Sequence, residues 1–178
     1  MGSALILFGA AQVLQLLTMR REKMRVLAKW APVANILSKR HDLTPKLARM
    51  MIRYYNHEHL LSNRLRGALR TASQISQRTP MKFESETRLS EAINSSFRAI
   101  EAFPSSQRDN EFGRLQMEFV LMDQALMHAV HEYNVAVNSF NAQRRALLCR
   151  LACFVNGCKP EGYLDLQELE SHYELAVS

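Results

Sequence analysis

Six histidines, three cysteines and a scatter of carboxylates are the side chains that could do chemistry in this chain of 178 residues. His41 stands beside Asp42, a pairing that can form half of a proton relay. His57 and His59 flank Glu58, and His128 and His131 lie three apart beside Glu132. Cys149, Cys153 and Cys158 cluster near the end. Each pattern lacks a part of the chemistry it suggests. Residues two apart on a helix point to different sides, so His57 and His59 cannot close on one ion. Di-iron bundles place Glu-x-x-His on two helices, and that spacing is absent here, as is H-E-x-x-H. An odd number of cysteines at these spacings is no disulfide framework and reads as free thiols in a reducing compartment. Cys149 and Cys153 can share a helix face, but no neighbouring Cys/His pair completes a zinc set. Nucleophile-elbow, P-loop and dinucleotide fingerprints are missing, and six glycines leave little room for them. The expectation is a protein without cofactor, metal or evident small-molecule substrate. The alternative is a helical-bundle metal protein or enzyme using His128, His131 and Glu58.

The elements around these residues are helical. Hydrophobic residues are 47% of the chain, while Gly and Pro number only 6 and 5. Phe112, Leu115, Phe119, Met122, Leu126, Val130, Tyr133, Val137 and Phe140 recur at steps of three and four, and Leu147 and Leu151 continue the line. That is one apolar stripe on a long helix. Leu47, Met51, Tyr54, Leu61, Leu65, Ala68, Ala72 and Ile75 form a second stripe, interrupted by Glu58. Leu27, Trp30, Ala34, Leu37 and His41 form a shorter one, and Leu89, Ile93, Ser96, Ile100 and Phe103 another. Breaks fall at Gln77–Pro80, at Phe103–Ser106, where a serine can cap the next helix, and at Asn156–Gly157 with Lys159–Gly162. Short connections make neighbours antiparallel. The predicted fold is all-α, an antiparallel up-and-down four-helix bundle with an N-terminal transmembrane helix.

The stretch His41-Asp42-Leu43-Thr44-Pro45 is predicted to be a corner between two helices rather than a relay. Asp42 and Thr44 are helix-start residues, Pro45 suits a first helical position, and proline turns Thr44 out of the helical region. His41 falls in step with the apolar seam before it. Glu58 is expected either to pair with an arginine or histidine across the bundle or to serve as a buried functional carboxylate.

Charge is unevenly placed. Residues 1–88 hold 16 Lys/Arg against 5 Asp/Glu, and residues 90–178 hold 7 against 12, so the halves carry +11 and −5 within a total of +6. No charge occurs before Arg20, and Ala4 to Met19 is about 24 Å of helix at 1.5 Å per residue. A bilayer core is ~30 Å thick, so this is a short but workable span. Arg20, Arg21, Lys23, Arg25 and Lys29 follow as a basic collar. They favour anionic lipid head groups over nucleic acid, for which no recognition motif is present. The positive-inside rule puts the collar in the cytoplasm and the N-terminus outside. Residues 1–19 are thus read as a membrane anchor, 20–155 as the bundle and 156–178 as an acidic tail. Leu166, Leu169 and Tyr173 hint at a short amphipathic helix in that tail.

With these stretches in view, the chain resembles the LemA family of bacterial membrane-associated proteins. Lys29-Trp30 and SKRHDLTPKL, Tyr55-Asn56-His57-Glu58, Glu101-Ala102-Phe103-Pro104, Asp109 to Gln116 and Glu132 to Asn141 match its segments in order. The positions carrying the likeness are Trp30, Tyr55, His57, Glu58, Pro104, Asn110, Leu115, Gln116, Tyr133, Asn134, Val137 and Asn141. Arg144-Arg145-Ala146 stand where the family has an aromatic-proline pair. The resemblance implies a four-helix domain tethered by an N-terminal transmembrane helix. It implies no established catalysis. The charge-free N-terminus, the basic collar and the long seams without a catalytic motif are read as a scaffold or interaction protein with an unknown protein partner, in the bacterial inner membrane or an internal membrane derived from it.

Overall fold

The structure, a computed structural model, describes residues 2–55, 60–76, 78–145 and 160–164; for residues 2–13, 15 and 16 it describes the helix backbone alone. Among the described residues there are four α-helices and no strand: α1 (Gly2–Tyr54), α2 (Leu60–Gln74), α3 (Pro80–Glu101) and α4 (Asn110–Arg145). A 3-10 turn (Ser106–Arg108) precedes α4. The chain divides into two compact units, one of residues 1–33 and 129–163, the other of residues 34–128 and 164–178. α1 and α4 each contribute to both.

The second unit is an up-and-down bundle, legible from which residues meet. The Ser62 hydroxyl of α2 donates to the Ala48 carbonyl of α1 across the reversal that joins them. On α3, Lys82 reaches the Ala72 carbonyl near the end of α2. Pairs between α1 and α4 run in opposite order, Arg40 with Asp123 and Arg53 with Asp109, so these helices are antiparallel. Pairs between α1 and α3 run in the same order, His41 with Glu86 and Tyr55 with Ala99. The core draws Leu47 and Met51 from α1, Leu65 and Ala72 from α2, Leu89, Ile93, Phe97 and Ile100 from α3, and Phe112, Leu115 and Phe119 from α4. The predicted stripes supply all of these residues but Phe97, which was not in the α3 stripe, and burying each large side chain stabilises the fold by about 1.5–3 kcal/mol.

In the first unit α1 turns Val26 and Val33 inward, and α4 contributes Val130, Tyr133, Val137 and Phe140. Trp30 and Tyr133 meet edge to face, centroids 5.5 Å apart, and Lys29 Nζ lies 2.7 Å from a Glu132 carboxylate oxygen. Returning chain lies along α4. The Tyr133 hydroxyl donates to the Gly162 carbonyl at 2.9 Å, Asn141 exchanges hydrogen bonds with the Glu161 backbone, and the Tyr163 hydroxyl donates to Asn138.

The expected corner at His41–Pro45 does not exist. α1 runs unbroken through it, and the chain reverses instead after Tyr55, beyond which residues 56–59 lie outside the described part. Proline inside a helix loses one backbone hydrogen bond and crowds the carbonyl four residues back, at a cost of ~3 kcal/mol. Here local propensity is outweighed by tertiary bonds. Arg40 and His41 are tied to α3, the Thr44 hydroxyl donates to the Arg40 carbonyl at 2.8 Å, and Thr44, Leu47 and Ala48 are buried. Consequently the short first stripe and the start of the second belong to one helix.

The predicted punctuation at Pro80 is present. Thr79, in extended backbone geometry, caps α3 by accepting from the Lys82 amide, and Pro80 takes the first position. At the Phe103–Ser106 break the cap is Asp109 rather than a serine, and Ser106 turns its hydroxyl back onto the Phe103 carbonyl.

Of the N-terminal transmembrane helix expected over 1–19, residues 2–19 are found as helix, the first part of α1. Among the described residues no helix is long and apolar enough to cross a membrane. Cys149, Cys153, Cys158, the break at Asn156–Gly157 and residues 165–178 of the tail lie outside the described residues.

Candidate functional site

Inside the second unit, charged and polar side chains from α1, α3 and α4, with a carbonyl from α2, form one buried cluster. Glu86 on α3 is 1% exposed and stands at its centre. Its Oε1 lies 2.5 Å from Lys82 Nζ, one helical turn back, and 3.0 Å from His41 Nε2 on α1; Oε2 lies 3.1 Å from the same imidazole nitrogen. Lys82 also donates to the Ala72 carbonyl at 2.7 Å. One turn on, Arg40, 1% exposed, donates to the Ser90 hydroxyl at 2.7 Å and sets its other terminal nitrogen 3.4 Å from Asp123 on α4. Ser90 donates to the Glu86 carbonyl at 2.9 Å. Serine back-bonds of this kind satisfy the buried face of α3, as Ser85 and Ser96 do with Lys82 and Ala92.

Burial pushes the Glu86 carboxyl up. The hydrogen bonds and attraction from His41 and Lys82 push it further down, so it sits below the ordinary carboxylate range. A carboxylate held this way is an acceptor already engaged by two donors. It is poorly placed to take a proton from a substrate and well placed to fix helix register, the best-attested use of buried ionic groups. Two cavities open elsewhere. One of about 780 Å³ is lined by Glu101, Asp109, Phe112 and Arg114, the other, of about 460 Å³, by Lys46, Arg49, Arg53 and Glu118.

A second polar junction closes the end of the same unit. Asp109 Oδ1 caps α4 by accepting from the Glu111 and Phe112 amides, at 2.9 and 3.3 Å. Its Oδ2 accepts from the Tyr54 hydroxyl at 2.8 Å and from Arg53, whose other nitrogen meets Glu111. The Tyr54 hydrogen bond, the amides and the Arg53 charge hold the Asp109 carboxyl below its usual range against the opposing effect of burial. Tyr54 and Tyr55 both meet the Phe103 ring here.

Several of the residues singled out from the sequence serve contacts between elements, and others are exposed. His41 and Thr44 belong to the buried cluster, whereas Asp42 is exposed. Trp30, Tyr133 and Asn141 hold the first unit together, with Val137 in its core. Asn134 is half-buried on α4. The Tyr55 hydroxyl donates to the Ala99 carbonyl, Gln116 donates to Glu101, Leu115 is in the core, Asn110 starts α4 and Pro104 lies in the turn before it. Of the collar, Arg20, Arg21 and Lys23 are exposed, Arg25 lies 3.8 Å from Glu22, and Lys29 is paired with Glu132. His57 and Glu58 lie outside the described residues, and His128 and His131 are exposed on α4. Among the described residues, no three His, Cys, Asp or Glu are disposed to hold a metal ion.

Arg40, Lys82, Glu86 and Asp123 were not singled out from the sequence. A signal was present: counting back from Leu89 by three and then four reaches Glu86 and Lys82, in phase with the buried stripe of α3.

Architecture and site together define an all-α bundle protein whose polar interior joins its helices. The chain belongs to the LemA family, whose model matches residues 29–178. No curated protein matches it.

Proposed function

We propose that this chain is a membrane-attached scaffold or interaction protein of the LemA type, working without catalysis at the cytoplasmic face of the bacterial cell membrane or of an internal membrane derived from it. The observation that carries the reading is the unbroken course of α1. A run without charge from Ala4 to Met19, exposed Arg20, Arg21 and Lys23, and the core residues Leu47 and Met51 lie on one helix. The apolar run enters the bilayer as a single pass with the N-terminus outside, and the basic residues meet anionic head groups on the inner side. An unidentified protein partner is served by the bundle.

Membrane fractionation tests the attachment. The full chain should stay with the pellet after carbonate washing, and its recovery in the supernatant would overturn the reading. For the single pass, Ser3→Cys should react with an impermeant thiol reagent added outside intact cells. Protection until the cells are opened would leave the attachment standing and refute the outward N-terminus.

A further inference from the structure

From the end of the charge-free run onward, α1 carries two opposed stripes. Met19, Glu22, Val26 and Val33 are turned inward, with Met19, Val26 and Val33 at 4%, 0% and 0% exposure. Leu17, Arg20, Met24 and Leu27 follow one another at steps of three, four and three, about 200° round the helix from the inward stripe at 100° per residue. Leu17, Met24 and Leu27 are 49%, 64% and 42% exposed, and Leu14, 64% exposed, extends the line by three residues. Large apolar side chains so open, in register and opposite a packed face, form an amphipathic surface that the bundle leaves uncovered.

The charge around this stripe is of one sign. Arg20 lies in it, and Arg21, Lys23 and Arg25 flank it, all exposed. The single acidic residue before Asp42 is Glu22, which sits on the inward stripe with its side chain 18% exposed and within 3.8 Å of Arg25. The outward surface from Leu14 to Leu27 therefore offers apolar groups and cations together. A protein groove would have to supply acidic residues at each flank. An anionic bilayer surface supplies a continuous negative layer over an apolar one, and Lys and Arg reach that layer while their stems lie on the apolar side.

Resting on the membrane reading above, we infer that the lipid-contacting part of α1 extends past the collar to Leu27: Met24 and Leu27 enter the interfacial layer of an anionic membrane while Arg20 and Arg21 bind its head groups. The collar is the polar component of a continuing lipid face, and α1 leans onto the membrane along this side instead of rising straight from it.

Full-length protein carrying Cys149→Ser, Cys153→Ser, Cys158→Ser and Leu27→Cys, with a polarity-sensitive fluorophore at position 27, is mixed with vesicles of phosphatidylcholine alone or of phosphatidylcholine and phosphatidylglycerol. The expected result is stronger binding to the anionic vesicles and a blue shift of the label on binding. In the otherwise unaltered chain, Met24→Glu with Leu27→Glu, and separately Arg20→Glu with Arg21→Glu, should each lower partitioning roughly tenfold or more. These side chains are exposed, so helix content should be unchanged by circular dichroism. A label that stays in water on a bound chain, together with undiminished binding of Met24→Glu/Leu27→Glu, overturns the inference and leaves attachment by the earlier run intact. Equal binding to both vesicles removes the anionic surface. No binding to either vesicle overturns this inference and the membrane reading together.

Discussion

The imidazole Nε2 of His41 lies 3.0 and 3.1 Å from the two carboxylate oxygens of Glu86, joining α1 to α3 across the bundle interior. Lys82 shares that carboxylate, and both acidic oxygens are out of water. Removing one partner from a buried charged group is far costlier than the pair is worth, because the others stay behind unpaired. Glu86→Ala is therefore expected to lower the unfolding free energy by about 3–5 kcal/mol, read as the shift in a urea or thermal midpoint. A shift no larger than that of an exposed control such as Glu84→Ala would show that the cluster does not hold the bundle together.

Acidity should weaken the fold. The Glu86 and Asp109 carboxyls are both lowered in the folded chain, from ordinary values of 4.5 and 3.8. A group of this kind binds its proton more weakly when folded, so protonation favours the unfolded chain. The stability it supplies is complete above those ordinary values and drains away as pH falls through the lowered ones. Urea midpoints taken from pH 7 down to pH 3 should fall mainly below about pH 4.5, and Glu86→Gln should flatten the slope. An unchanged slope in that variant would remove Glu86 from the account.

Pro45 distinguishes a helix interior from a corner. With α1 continuous through it, Pro45→Ala restores a backbone donor and is expected to raise stability by about 1–3 kcal/mol. At a true first helical position the same change would be neutral or slightly unfavourable, since proline is at home there. The thermal midpoint decides between them.

Asp109 combines a helix cap with a link to Tyr54 and Arg53. Asp109→Ala should cost about 1–2 kcal/mol through the lost cap. Tyr54→Phe keeps the cap and the Phe103 contact, and should cost less. Equal effects in the two variants would mean that the cap contributes nothing of its own.

Tyr133 is fully buried and its hydroxyl holds the Gly162 carbonyl against α4. Tyr133→Phe should leave the Trp30 contact in place and free residues 160–163, measured as faster amide exchange there. Exchange as slow as in the parent chain would show that this hydrogen bond does not hold the segment.

Much of this architecture was legible because apolar spacing tracks burial over most of the bundle, although Leu27 and Ala34, placed in the predicted short stripe, are exposed. Phe112, Leu115 and Phe119, or Leu89, Ile93 and Ile100, were readable as core from their steps of three and four. The break at Gln77–Pro80 was legible because proline acts on the helix through its own local geometry, while the Thr79 cap emerges only in the structure. Pro45 misled for the same reason: its preferences are local, and what overrides them is Arg40 and His41 bonding to Ser90 and Glu86, residues 50 and 45 positions away. The buried cluster was harder to see, since a lysine and a glutamate four apart on a helix look like an exposed pair until their phase with Leu89 is counted. Asp109, too, gave no sign that one of its oxygens would cap a helix while the other held Tyr54.

The Arg40–Asp123 pair joins side chains 83 positions apart, so ribosomal synthesis imposes an order on the interior. When Arg40 emerges, its carboxylate partner has yet to be translated, and the guanidinium must remain hydrated until α4 has left the exit tunnel as far as Asp123. The hairpin of α2 and α3 can assemble early from neighbouring sequence, but its lysine and glutamate seal away from water only when the first helix closes over them. Completion of this unit is accordingly a late event, waiting on α4.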